Sequence, residues 1–128
     1  MAVARGSGLI VGQAVSLDRS LPTLQAFADM LPPAPCYTSD GHAAYQEIIW
    51  PQGSSHIVSQ AKEETYTIES LNANLRTYLG RLARRSRCFS RSLEALRQAI
   101  RLFVSYYNQR QRLYLVHSSY RGRLPLLI

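Results

Sequence analysis

The chain has 128 residues, 46% of them hydrophobic and 18% charged, which is enough to bury one core and too short for two ordinary domains. Its formal net charge is +7, and apart from Lys62 every basic side chain is arginine, the residue suited to bidentate phosphate contacts. The best apolar stretch, "LEALRQAIRLFVSYY", is interrupted by arginines and falls short of the roughly 20 residues needed to span a bilayer, and no basic start followed by an apolar run marks a signal peptide.

Residues 2–15, "AVARGSGLIVGQAV", read as two short runs joined at Arg5-Gly6-Ser7-Gly8, whose glycines permit the positive φ of a hairpin turn. The spacing of Leu21, Leu24, Phe27, Met30 and Leu31 then predicts a helix, with Ser20 as N-cap and Pro22 in the first turn, ended by Pro32, Pro33 and Pro35. "CYTSD" (36–40) is a brief strand that leaves Asp40 at its carboxyl end. "HAAYQEIIW" is a short helix stopped at Pro51-Gln52-Gly53, and "HIVSQ" (56–60) is a further strand. From about Thr67 an amphipathic helix carries Ile68, Leu71, Leu75, Leu79 and Leu82 on one stripe. A last helix over Ser92–Asn108 puts Leu93, Leu96, Ile100, Phe103, Val104 and Tyr107 on one face and Arg97 and Arg101 on the other. The remaining residues show no clear period. This order predicts an α/β fold with a mixed sheet.

The charge is uneven along the chain. Residues 1–69 hold Arg5, Arg19 and Lys62 against seven acids, whereas residues 70–128 hold twelve arginines against Glu94 alone. A single-sign field of that size points to nucleic acid, and less well to an anionic membrane surface. Arg76, Arg81, Arg84, Arg85, Arg87 and Arg91 form a run with almost no acids interleaved, which favours a phosphate-binding face over a merely solvated one. With Lys62 and Asn72 they make the candidate DNA-contacting set.

Two carboxylates stand out. Glu69, Asn72 and Arg76 fall within some 60° of one another on the flank of the apolar stripe; a first-turn acid favoured by the helix dipole is the plainer account of Glu69. Asp40 lies in Ser-Asp-Gly, a common turn sequence. Together, one carboxylate at a strand's end and one at a helix start suit a hard cation such as Mg²⁺, which promotes in-line phosphoryl transfer. His42, His56 and His117 lack zinc spacing with Cys36 or Cys88, and neither a GxSxG elbow nor a phosphate-binding GxxxxGK[ST] loop is present. The cysteines form no CxxC pair, which fits a reduced cytosolic compartment.

"SDGHAAY" (39–45), His56, "YTIESLNANLR" (66–76) and "LARRSRCFSRS" (82–92) resemble insertion-sequence transposases of the DDE type, the insertion sequence one family in particular. The likeness runs from about residue 9 to 108, and three blocks in the family's order are far more specific than any one. It implies a ribonuclease-H-like mixed sheet with flanking helices, over residues 1–110 and followed by a basic tail over 111–128. In such a fold two aspartates and a glutamate hold two Mg²⁺ or Mn²⁺ ions for DNA cleavage and strand transfer.

By that resemblance Asp40 matches the second aspartate and Glu69 the glutamate. Asn72 and Arg76 match residues of the glutamate-bearing helix, and His56 a histidine that precedes it. The family's first aspartate sits on a strand ahead of the hairpin. Asp18 follows the "LIVGQAV" run and does not replace it, so the expectation is a truncated copy lacking the first strand, and inactive alone. The implied partners are element-end and target DNA, with a second copy or a full-length transposase as protein partner, in the nucleoid-associated cytoplasm. The alternative is a non-catalytic, arginine-rich nucleic-acid-binding protein or transposition inhibitor.

Overall fold

The computed structural model describes residues 1–59, 62–78 and 92–118, without the side chains of 62–65 and 118. Strands β1 (Ala2–Val3) and β2 (Ile10–Gly12) form the expected antiparallel hairpin, with Val3 opposite Ile10. Its turn closes through Gly8 N–H to Ala4 O at 2.8 Å and Ala4 N–H to Leu9 O at 2.9 Å. Gly8 has φ +69°, a left-handed conformation that glycine adopts without the steric cost of a β-carbon.

Helix α1 (Leu21–Asp29) starts after Ser20, with proline in its first turn. The Ser20 hydroxyl makes no bond to the helix backbone; it meets Asp18 Oδ1 at 3.2 Å and Thr23 Oγ1 at 3.0 Å. The C-terminal end of α1 rests on the hairpin at Gly12, where an added β-carbon would lie 2.3 Å from Leu31 Cδ2 and 3.5 Å from Phe27 Cε2. The missing side chain of Gly12 is therefore what lets that helix end approach.

Strand β3 (Cys36–Ser39), helix α2 (Ala43–Gln46) and strand β4 (Ser55–Val58) follow. β3 and β4 pair in parallel, with Tyr37 opposite His56 and Ser39 opposite Val58. Burial alternates along both strands: Tyr37, Ser39, His56 and Val58 share the half-buried face, while Cys36, Thr38, Ser55 and Ile57 are exposed. Helices α3 (Lys62–Tyr78) and α4 (Leu93–Ser118) complete the described chain. The core is Ile10, Ala28, Ile48, Leu71, Leu75 and Ile100.

The class is α/β, as the sequence predicts, but the sheet differs from the expected one. In place of a single mixed sheet there are two separate pairs, antiparallel β1–β2 and parallel β3–β4, and no described strand joins them. Two helix boundaries also move. α3 starts five residues before Thr67, because its first turn, Lys62-Glu63-Glu64, is polar and gives no apolar signal. α4 continues ten residues past Asn108, into the stretch with no legible period. There the inward positions include Asn108 and Gln111, which hydrogen-bond the hairpin backbone, so amides take two places where a hydrophobic pattern would look for leucines.

Candidate active site

Asp40 follows β3 directly and is exposed. Its Oδ1 accepts the His42 backbone N–H at 3.2 Å, a local turn that leads into α2; the turn account and the ligand account are compatible, because that bond occupies only one carboxylate oxygen. Ser39 links Asp40 to His56: the serine hydroxyl donates to Asp40 O at 3.1 Å and contacts His56 Nε2 at 2.8 Å. The imidazole also stacks on Trp50, centroids 4.8 Å apart, and Trp50 stacks on Tyr37 at 4.6 Å. These contacts tie His56 to the end of the strand that leads into Asp40. The Tyr37–Trp50–His56 stack is not legible in the sequence, since Trp50 lies in a loop whose fold-back has no local signal.

Parallel pairing puts the carboxyl ends of β3 and β4 at one edge. Ser59 N–H donates to Ser39 O at 2.9 Å just beyond the ladder, and the chain reaches Lys62, the start of α3, three residues later. Asp40 and the amino-terminal end of α3 thus issue from the same edge of the strand pair. Glu69 is exposed and lies seven residues into α3, about 10 Å along its axis. Leu71 and Leu75 of the same helix are buried, about 160° and 120° round the helix from Glu69.

Asn72 and Arg76 come together on one groove of about 550 Å³, which they line with Asp18, Arg19, Leu96 and Ile100 among others. Asn72 is half-buried and Arg76 exposed. The groove therefore offers two guanidinium side chains and an amide beside an apolar floor, a donor set for phosphate or another anion. Glu69 is not among its lining residues.

Asp18 also borders this groove, and its role is local. Its Oδ1 accepts from Thr23 Oγ1 at 2.6 Å, Ser20 Oγ at 3.2 Å and Ser20 N–H at 3.4 Å. Those bonds, the Thr23 hydroxyl first, hold its carboxyl below the ordinary aspartate value. Sequence reasoning saw Asp18 only as an acid out of place; the Asp-x-Ser-x-x-Thr spacing that closes this network was the available signal.

Among the described residues, no group of three or more His, Cys, Asp or Glu side chains is gathered to hold a metal ion. Asp40 and Glu69 still fit a hard cation in donor type, both being exposed carboxylates, and Mg²⁺ commonly takes only one or two carboxylates with the rest water and phosphate oxygen. Lys62 opens α3, and its side chain lies outside the described residues, as do Arg81, Arg84, Arg85, Arg87 and Arg91.

A family model described as IS1 transposase matches residues 5–111. The insertion element IS1 protein InsB of Shigella flexneri is 37% identical over 79 residues, covering 62% of this chain and 53% of that protein. The insertion element IS1 4 protein InsB of Escherichia coli K12 is 35% identical over 79 residues, covering 60% and 45%. The chain spans about half the length of the curated relatives it matches. No solved structure matches it significantly.

Proposed function

Because the chain belongs to the IS1 transposase family, we propose that it carries part of a ribonuclease-H-like catalytic centre for DNA strand cleavage and transfer, with Asp40 and Glu69 as ligands of Mg²⁺ or Mn²⁺. The observation that supports this most directly is the parallel β3–β4 pair, which sends Asp40 and the Glu69-bearing helix out from one sheet edge. One carboxylate at such an edge and a second on the helix that leaves it, followed by a basic segment, suit phosphodiester chemistry at the carboxyl ends of strands.

Bound divalent ions would polarise the scissile phosphate and activate water or a 3′-hydroxyl. The chain's own residues hold and orient. The His42 N–H fixes Asp40, and the Ser39–His56 contact steadies the segment on which it sits. Arg76 and Asn72, together in the groove beside Arg19, engage the DNA backbone, and Arg81, Arg84, Arg85, Arg87 and Arg91, with Lys62, extend that contact. Phosphate contacts of this kind position DNA without reading its sequence.

A second reading is carried by a separate observation: the absence, among the described residues, of a third carboxylate or imidazole gathered with these two. It makes the chain by itself a DNA-binding module, or an inhibitor of a complete transposase. One assay separates the readings. The protein and its Glu69→Gln variant are incubated with labelled element-end DNA and Mg²⁺. Metal-dependent nicking that the variant loses by about a hundredfold or more is the expected result for a ligand whose ion must be fixed for in-line geometry. Equal nicking by both would remove Glu69 from the chemistry. Retained DNA binding with no nicking by either favours the binding module.

A further inference from the structure

The groove that Arg19, Asn72 and Arg76 line has an apolar lip that phosphate contacts do not use. Leu17 lines the same groove and is 91% exposed, whereas Val15 and Leu96 are half-buried there and Leu75 and Ile100 are buried. A single exposed leucine is ordinary on a surface, but this one adjoins further apolar surface and is held in place. Ser16 Oγ donates across it to Asp18 O at 2.5 Å, and Asp18 Oδ1 is bound in turn by Ser20 and Thr23. Arg97 Nη2 donates to Val15 O at 3.4 Å, which ties the same segment to α4. Leu17 is thus presented at the groove by a pinned loop, which lowers the ordering cost of binding.

The charges at the groove specify what meets that leucine. The charged side chains lining it are Arg19, Arg76 and Asp18; both arginines are exposed, and the Asp18 carboxylate is engaged by hydroxyls and an N–H of its own loop. A paired duplex supplies phosphate to the guanidinium groups but keeps the faces of its bases stacked, so it offers nothing apolar to Leu17. A nucleotide out of its stack offers both at once: a phosphate for Arg19 and Arg76, and a base face for Leu17, Val15 and Leu96. Asn72 adds a further match. Its N–H groups suit phosphate, but its amide carbonyl is an acceptor that phosphate cannot use and that an amino group on a base edge can. At about 550 Å³ the groove has the size of a small-ligand site.

We infer that this groove is a nucleobase pocket, which takes one unpaired nucleotide of DNA with its base against Leu17 and its phosphate on Arg19 and Arg76. The inference rests on the DNA-binding part of the reading above and names the form of DNA that the groove selects. The test is competitive filter binding of the full chain, without divalent metal, to three duplexes of one sequence. One is fully paired, one carries a single unpaired deoxyadenosine, and one has an abasic residue at that place. The last two share their phosphates and their break in pairing, so the ratio of their affinities isolates the base. The unpaired deoxyadenosine is expected to bind about fivefold or more tighter than the abasic residue, by a ratio that salt leaves unchanged because the base is uncharged. Leu17→Ser brings that ratio to about one, and because Leu17 is exposed the substitution removes no core packing. Arg19→Ala weakens binding of all three duplexes and flattens the salt slope by about 0.9. Equal binding of the unpaired and abasic duplexes, a ratio that vanishes at high salt, or one that survives Leu17→Ser overturns the pocket and leaves the strand-transfer reading in place. No binding to any of the three overturns both.

Discussion

Asp18 illustrates how a single carboxylate near a functional groove can be claimed by the local fold. Its oxygen collects the Thr23 hydroxyl, the Ser20 hydroxyl and the Ser20 N–H ahead of α1, an arrangement that favours the ionised form and lowers its pKa below 3.8. A group whose folded pKa is depressed contributes stability above its unfolded value, and that contribution is lost as pH falls through the folded one. The Asp18→Asn substitution keeps an acceptor oxygen but removes the charge. It is expected to lower the melting temperature slightly at neutral pH, by less than Asp18→Ala does, and its gap from the parent should close at pH values well under 3.8. Thermal melts of the three proteins at neutral and acid pH measure this. A gap that persisted in acid would mean that Asp18 acts through shape alone. Asp40 differs in kind: among the described residues one of its oxygens is engaged, by one backbone N–H, and the other faces no such network.

Among the elements, α4 does what a further strand would otherwise do. Ile10 is buried in β2, and both its backbone groups turn away from β1 toward the helix. Asn108 accepts the Ile10 N–H and donates to the Ile10 carbonyl, each at 2.8 Å, while Gln111 donates to Ser7 O at 2.9 Å. The helix thus satisfies the outer edge of a strand that would otherwise present unpaired groups. The Asn108→Ala substitution strands a buried N–H and carbonyl together, so a loss of about 2–3 kcal/mol in unfolding free energy is expected by denaturant titration. A loss under about 0.5 kcal/mol would show that water replaces the amide without penalty. This clamp also explains what the sequence could and could not reveal. The hairpin, α1 and the strand before Asp40 were legible because Gly8, Pro22 and the Pro32–Pro35 run act locally. The reach of α4 was not, because Asn108 and Gln111 are polar residues on an inward face. Nor was the division into two sheets, which depends on what lies between distant segments. At the candidate site, the Ser39–His56 contact joins residues 17 apart in sequence, and only the parallel register shows why a histidine there matters to Asp40.

For the molecule as a whole, the decisive property is the segregation of charge. The first 69 residues are net acidic and contain both candidate metal ligands, whereas the remaining 59 hold twelve arginines and Glu94 alone. A polyanion approaching such a chain is drawn to its second half, and the path from there to Glu69 runs back along α3 through Arg76 and Asn72. Each arginine that meets phosphate releases condensed counterions, so the logarithm of the DNA association constant should fall with the logarithm of salt concentration by about 0.9 per contact. Replacing Arg76, Arg81, Arg84, Arg85 or Arg87 singly with alanine should therefore flatten that slope by about one unit apiece. The same substitutions should weaken binding to unrelated sequences equally, because phosphate contacts carry no base information. Glu69→Gln should leave the slope unchanged or steepen it slightly, since it removes a negative charge beside the phosphate path. Filter binding of one duplex across a salt series, repeated with a scrambled duplex, measures all of these. An arginine whose removal left the slope intact would belong to the solvated surface, and if all five did so the charge segregation would have to serve something other than DNA. A flattened slope together with lost discrimination between the duplexes would instead assign that arginine to a base edge.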